Sequence, residues 1–525
     1  MSTPVPMDRA SERLWRERGQ DPRDLEALVG RILSYIHTVL PRPPSSAHGP
    51  ALLAALLPHD DLDRLSLLPD ELLCNVVSRL PVADAARTGA LSRSWRGVWR
   101  SAPLVLIDSH LLRSGGAQDD PGLQVARADA RRVTSAVSRI LASHPGPFRC
   151  VHLTTSYMEE FRGLLARWLQ LLAVKGVQEL VLANRPWPLD LDLPAAFFGM
   201  PTLTRLYLAL WKFPETAGLP RAAGFPNLRE LGLCTVVLEA RHMDFILARS
   251  PVLQILCLQG NLLMDRLTLR SHSLRCVQMI SASDLEIGLE DAPQLERLII
   301  WSAMGSIREG ITGSCKRITI GHVPILSIIG YLEPELHTLV VGNTIIKAGT
   351  KAIPTTMVPT VKILGFKVRF GVRKEAKLLP CLLGCFPNVE RLHIESKKTS
   401  EPTGKLSVKF WEGSGAIECV QSHINLLIFR NFRGERSELS FLKFFLERAH
   451  KLKRLVIVFG KGTFTSMSEA KSKVKPLYDA KWASKCCSLL LFECFFAEGQ
   501  GAELENFERG SNFSVRDPFA VIVRA

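Results

Sequence analysis

Between residues 148 and 457 the chain repeats one short pattern, apolar-x-x-apolar-x-apolar. It begins with Phe148/Val151/Leu153, Val177/Leu180/Leu182 and Leu203/Leu206/Leu208 and continues through Leu295/Leu298/Ile300, Cys315/Ile318/Ile320, Leu336/Leu339/Val341 and Val361/Leu364/Phe366 to Leu452/Leu455/Ile457. Successive first positions lie 20 to 35 residues apart, with the shortest intervals, 20 and 21, in the middle of the run. The later positions of each unit alternate as a strand with one apolar face requires, which leaves residues such as Arg205 and Glu230 on the opposite face. Dipeptides such as Met200-Pro201, Phe225-Pro226 and Ala292-Pro293 precede many units, and proline there halts the return segment before the next strand. One such coil cannot bury its own apolar side, so the coils must stack. The pattern predicts parallel strands lining the inner wall of an arc. Long intervals leave room for return helices, as over 163–174 and 243–249, and the short central coils are expected to hold only tight returns.

Repeats of 20 to 29 residues with this spacing read as leucine-rich repeats. Ahead of them, residues 62–108 carry a different period. Leu72, Leu73, Val76, Val77 and Leu80 form a broad helical stripe. Pro69 suits the first helical position, with Asp70 and Glu71 at the positive end of the helix dipole. Pro81 ends that helix. A second spans 82–88 and closes at Gly89, a residue suited to a left-handed C-terminal position. Ser92 is a good N-cap for a third helix, which sets Trp95 and Trp99 one turn apart. So much apolar surface exceeds what one small core can hold, and the stretch reads as built to dock. A further amphipathic helix over 24–40 with a proline-rich linker over 41–50 precedes it, and a helix over 125–143 follows.

With Leu68-Pro69-Asp70, Leu72-Leu73, Val76, Leu80-Pro81, Leu91-Ser92 and the two tryptophans in order, residues 62–108 resemble the F-box. The resemblance implies that Leu68, Pro69, Leu72, Leu73, Val76, Leu80, Pro81, Leu91, Trp95 and Trp99 bind an adaptor of the Skp family and, through it, a cullin, the tryptophans being shared between the module's core and the adaptor. Near the other end, Cys419-Val420, Ser422-His423-Ile424, Phe429-Arg430, Phe432, Gly434, Glu438-Leu439, Phe441-Leu442, Phe445-Leu446 and Leu452-Lys453 resemble the FBD segment of many plant F-box proteins. Read from the residues, that segment is a strand over 424–429, a turn at Gly434, a helix over 437–450 and a strand over 454–458, a unit able to extend and cap the repeat sheet. The expected architecture is therefore α/β: a three-helix F-box (62–108) after a helix and linker (1–61), a linking helical segment (109–146), a leucine-rich-repeat solenoid (147–415) and an FBD-like cap (416–525).

Bulk composition narrows the setting. The 525 residues exceed one ordinary domain, and 46% hydrophobic residues suffice for a large core. Twelve scattered cysteines without a preceding charged-then-apolar leader suggest reduced thiols in an intracellular protein of the nucleus or cytoplasm, which drains the Asn512-Phe513-Ser514 triplet of meaning as a glycosylation site. No apolar run approaches the roughly 18 residues of a membrane span, so the protein is expected to be soluble. Of the net charge of +15, residues 395–485 hold 18 Lys and Arg against 9 Asp and Glu, an excess of 18 − 9 = +9.

Catalytic signatures are missing from the sequence: it has no glycine-lysine phosphate loop, dinucleotide fingerprint or His-Glu-x-x-His helix. Cys381 and Cys385 with His393 lack the second ligand pair of a zinc site and read as buried thiols, as do Cys486 and Cys487. His152, His337 and His393 fall on outward positions and read as surface histidines. No metal or cofactor is expected. The reading that results is a non-catalytic substrate-recognition subunit of an SCF-type ubiquitin ligase, with a Skp-family adaptor, a cullin and an unidentified target protein as partners and neither membrane nor nucleic acid among them. The alternatives are a small-molecule receptor on the repeat arc and a nucleic-acid-binding protein using the basic stretch.

Overall fold

The computed structural model describes residues 33, 36–42, 65–112, 125, 127–185, 191–260, 263–280, 285–301, 317–334, 336–399, 408–413, 415–495 and 507–520. The chain folds as two units, residues 1–253 with 261–263, and residues 254–260 with 264–525.

The first unit starts with three short helices, α1 (Asp70–Val77), α2 (Val82–Thr88) and α3 (Arg93–Ser101). Pro69 is the N-cap of α1 rather than its first residue, and its carbonyl accepts from Leu72 and Leu73 N–H. Ser92 caps α3 by accepting from Trp95 N–H at 3.2 Å. Gly89 departs from expectation: its φ is −62°, right-handed. A Cβ there would sit tightly, 3.3 Å from the Ala86 carbonyl, and in ordinary contact, 3.7 Å, with Trp99 Cβ. Of the helix expected over 24–40, Leu33 and residues 36–39 are described and helical, with Leu33, Ile36 and Val39 buried. Its remainder and most of the 41–50 linker lie outside the described residues.

Strands follow: β1 (Leu104–Ile107), β2 (Phe148–Leu153), β3 (Glu179–Ala183), β4 (Arg205–Ala209) and β5 (Glu230–Cys234), paired in chain order and parallel. The stretch read as a helical module thus ends in a strand, buried on both faces, that pairs with the first repeat. Val151, Leu180, Leu206 and Leu231 stand in one register across the ladder, as the repeat pattern requires. The helices α4 (Arg127–Ser143), α5 (Arg162–Val174) and α6 (Ala240–Ala248) fill the long returns. Where the return ends in an x-Pro-x-Leu sequence, the leucine N–H bonds back three residues, Leu203 to Met200 and Leu228 to Phe225, a β-turn with proline at its favoured second position.

The second unit continues with β6 (Ile255–Gln259), β7 (Arg266–Arg270), β8 (Cys276–Ile280), β9 (Glu286–Asp291), β10 (Arg297–Trp301), β11 (Arg317–His322), β12 (Ile328–Leu332), β13 (Thr338–Val341) and β14 (Thr344–Ile345). Then come β15 (Ile363–Val368), β16 (Arg391–Ser396), β17 (Leu426–Arg430), β18 (Arg454–Phe459) and β19 (Ser488–Glu493). One parallel sheet runs β6-β8-β10-β12-β15-β16-β17-β18-β19; a second holds β7, β9, β11 and β13 in parallel, with β14 antiparallel at its edge. Here two expectations are corrected. The central coils return by strands, not by tight turns, since a 21-residue coil is too short for a helix but long enough for two extended segments. Consequently Ile318/Ile320 and Leu339/Val341, read as inner-wall strands, belong to the second sheet, in register with Leu267/Leu269 and Ile287/Leu289. The true main-sheet strand, β12, escaped the pattern because its pairing is irregular between Ile329 and Leu332, which lengthens the apolar spacing by one residue.

Helices reappear where intervals lengthen again, among them α7 (Arg373–Gly384), α8 (Val408–Glu412), α9 (Glu418–Ser422), α10 (Arg436–Arg448) and α11 (Met467–Tyr478). The expected strand-helix-strand unit is β17-α10-β18. Buried Glu438 secures it by accepting from Arg433 N–H and Glu435 N–H at 3.0 Å and from Ser396 Oγ at 2.6 Å. It is not the last element of the sheet, because β19 pairs in parallel onto β18. Among the described residues no helix is long and apolar enough to cross a membrane.

Candidate functional site: an apolar helical face and an occupied sheet face

The three N-terminal helices have a small closed core. Leu73 and Val77 of α1, Val82 and Ala85 of α2, and Trp95 and Val98 of α3 are buried, at the i,i+3 and i,i+4 spacing that aligns one face of each helix. Trp95 Nε1–H donates to Ser66 Oγ at 2.9 Å, so its polar edge is satisfied inside the module. With that core filled, a second set of apolar side chains remains outside. Leu67 is 82% exposed, Leu72 51% and Leu91 68%, and Leu68 and Val76 are exposed beside them. Large apolar side chains thus remain in water on a module whose core is filled.

Of the residues expected to touch an adaptor, Leu68, Pro69, Leu72, Val76 and Leu91 are therefore accessible, and Leu80 and Pro81 are half-buried. Pro81 also forms a parallel bridge with Val105 of β1, tying the helices to the sheet. Leu73 (2% exposed) and Trp95 (6%) are core side chains, which for Trp95 is the core half of the shared role expected of the tryptophans. Trp99 is half-buried, with its ring edge-on to His144 at 5.2 Å.

The outward positions of the repeat strands are not a bare solvent face. His152, His337 and His393 are all buried, contrary to their reading as surface histidines. His152 Nε2 lies 2.9 Å from Glu179 Oε1, and Arg205 bridges Glu179 at 3.2 Å and Glu230 at 3.0 Å. Burial works to raise the Glu179 carboxyl, but the His152 hydrogen bond and the Arg205 charge outweigh it and hold the group below the usual carboxylate range. Tyr207 OH closes this polar ladder on Glu230 at 2.7 Å, and its ring needs Gly232 opposite, where a Cβ would lie 2.2 Å away. Donor atoms of Cys150, His152 and Glu179 do gather within 4.8 Å of one another. The carboxylate of that cluster is already shared between an imidazole and a guanidinium. Cys381 and Cys385 sit on or beside α7, whereas His393 bonds Asp517, so these three do not assemble. His337 Nδ1 accepts from Glu333 N–H at 3.0 Å, and burial pushes its pKa down to about 4.

In the second unit the same face carries residues 507–520, which sequence reasoning did not place. Gln278 Nε2 donates to the Phe507 carbonyl at 2.9 Å and to Ser511 Oγ at 2.8 Å, and its Oε1 accepts from Trp301 at 2.9 Å. Arg297 donates to the carbonyls of Gly510, Asn512 and Val515 at 2.9 to 3.1 Å. Phe513 lies under the guanidinium groups of Arg275 and Arg297, 3.8 and 4.8 Å from its centroid. Asp517 meets His393 at 3.1 Å and Arg391 at 3.2 Å, and Phe519 packs on Trp301, Tyr331 and His393. No periodicity in 507–520 announces this. The one signal available was the polar and aromatic character of outward positions such as Gln278, Arg297 and His393.

Three short helices followed by stacked parallel-strand coils define a modular α/β protein. Family models match the chain in three places: the F-box domain over residues 65–106, the LRR repeats of "FBD-associated F-box protein At5g56370" over 165–394, and FBD over 412–457. The F-box/FBD/LRR-repeat protein At5g22660 of Arabidopsis thaliana is 25% identical over 430 residues, 75% of this chain and 89% of that protein. The F-box/FBD/LRR-repeat protein At1g13570 of the same plant is 24% identical over 342 residues, 64% of this chain and 76% of its own length. A third, At5g22700, is 52% identical over 46 residues, 9% of this chain and 10% of its own. The chain is an F-box protein with leucine-rich repeats and an FBD segment, homologous to the F-box/FBD/LRR-repeat proteins of Arabidopsis.

Proposed function

We propose that this protein is the substrate-recognition subunit of an SCF-type ubiquitin ligase. The F-box, residues 62–108, grips a Skp-family adaptor and through it a cullin, and the repeats of 147–415 with the FBD-like end select the target. The observation that carries the reading is the accessible apolar face made by Leu68, Pro69, Leu72, Val76 and Leu91 around a core that is already closed. Leu80, Pro81 and Trp99 are half-buried, and Leu73 and Trp95 belong to the core of the same module. The chain performs no bond chemistry in this reading. Its contribution is proximity: a target lysine held beside the charged conjugating enzyme reacts in an effectively intramolecular step. Ubiquitination and proteasomal degradation of the target follow, in the nucleus or cytoplasm. Pull-down of a Skp-family adaptor by the full chain tests it: absence of capture refutes the reading, and undiminished capture by a Leu72→Ala/Leu91→Ala variant refutes the placement of the gripping face.

A further inference from the structure

The face of β8, β10, β12 and β16 receives residues 507–520 on the outward positions of the repeat. The apolar core of the coils lies on the opposite face, where Val277, Met279, Leu298, Leu392 and Ile394 are buried. Residues 507–520 add no strand to either sheet. They are instead gripped as a ligand is. Arg297 and Gln278 read main-chain carbonyls, which any sequence supplies. Three side chains then give selectivity: Phe513 beneath two guanidinium groups, Asp517 on His393 and Arg391, and Phe519 in an aromatic corner. Gly510 permits the closest approach, because a Cβ there would meet Gln278 Oε1 at 1.8 Å.

We propose that this face is the target-recruiting site, that residues 507–520 occupy it as a tethered competitor, and that its targets present an acidic aromatic peptide of the form Phe-x-x-x-Asp-x-Phe. The proposal rests on the reading of the repeats as the target-selecting part. Joined to β19 by residues 494–506, the segment competes at an effective concentration on the order of millimolar, so a target must bind more tightly or the segment must first be released.

A labelled synthetic peptide of residues 507–520, added to the full-length chain, tests this. Wild type is expected to bind it at least about tenfold more weakly than an Asp517→Ala/Phe519→Ala variant, whose own segment has lost two anchors. Adding Arg297→Ala to that variant abolishes the gain. A folded double variant that takes up no more peptide than wild type overturns the proposal, as does peptide uptake indifferent to Arg297. If the double variant does not fold, hydrogen exchange of the wild-type chain decides. Amides of 507–520 that exchange well before those of β8 and β10 support an exchangeable occupant, and protection equal to those strands overturns it. Adaptor pull-down through α1 is read separately, so failure of the F-box reading leaves the peptide result standing.

Discussion

Leu72 and Leu73 are consecutive residues of α1 with opposite fates, 51% and 2% exposed, and this makes them a matched pair for separating docking from folding. Fully burying a leucine that starts in water is worth about 1.5–3 kcal/mol. Leu72 is half-exposed, so covering it with a partner should yield about 1 kcal/mol, and Leu91, 68% exposed, slightly more. Removing both is expected to cost about 2–3 kcal/mol of binding, a loss of roughly 30- to 150-fold in adaptor affinity. The same variant should hardly change stability, within about 0.5 kcal/mol, because neither side chain is in the core. Leu73→Ala inverts the pattern. It leaves a cavity in the core of the module and should cost about 2–5 kcal/mol of stability, with adaptor binding lost through unfolding of the module. Calorimetric titration of adaptor into each full-length variant, paired with denaturant melts, measures both quantities. A Leu72→Ala/Leu91→Ala protein that melts like wild type and binds adaptor with unchanged affinity refutes the placement of the docking face.

The remaining expectations concern the sheets. His337 has its pKa depressed to about 4, so the unfolded chain takes up a proton that the folded chain refuses between that value and the ordinary 6.5. Stability should therefore fall by about 2 kcal/mol as pH drops from 7 to 5, and His337→Asn, which keeps an acceptor for Glu333 N–H, should remove that share of the acid sensitivity in melts across this range. Lys367, buried with its Nζ 3.2 Å from Glu395 and 4.8 Å above the Tyr331 ring, holds an ion pair away from water. Lys367→Met should cost about 3 kcal/mol by taking the paired cation from the buried carboxylate, and adding Glu395→Gln should recover most of it; an equal loss in the double variant would exclude this cause. Gly232→Ala should displace the Tyr207 ring, break its bond to Glu230 and cost about 1–3 kcal/mol in a denaturant titration.

Much of this fold is written locally. The limits of α2, the Ser92 cap, the register of Val151, Leu180, Leu206 and Leu231, and the β17-α10-β18 unit follow from apolar period, caps and turn residues, all of which act over a few positions. The ten F-box landmarks were equally legible as a set. Their division into core and surface was not, because Leu72 and Leu73 both belong to one broad stripe and only the packing of α1 against α3 shows which of them faces inward.

Other features were settled by contacts between distant residues. Ile318/Ile320 and Leu339/Val341 carry the same alternation as the main-sheet strands, so the pattern itself cannot say which of two sheets they join; neighbouring coils decide by register. The burial of His393 depends on Asp517, 124 residues away, and no periodicity links them. Amino-acid order alone determined that this chain would stack parallel coils behind a helical plug, since that outcome rests on spacing. Which face of the coils is covered, and by what, came from tertiary structure, because it depends on where residues 507–520 find partners for their carbonyls, carboxylate and aromatic rings.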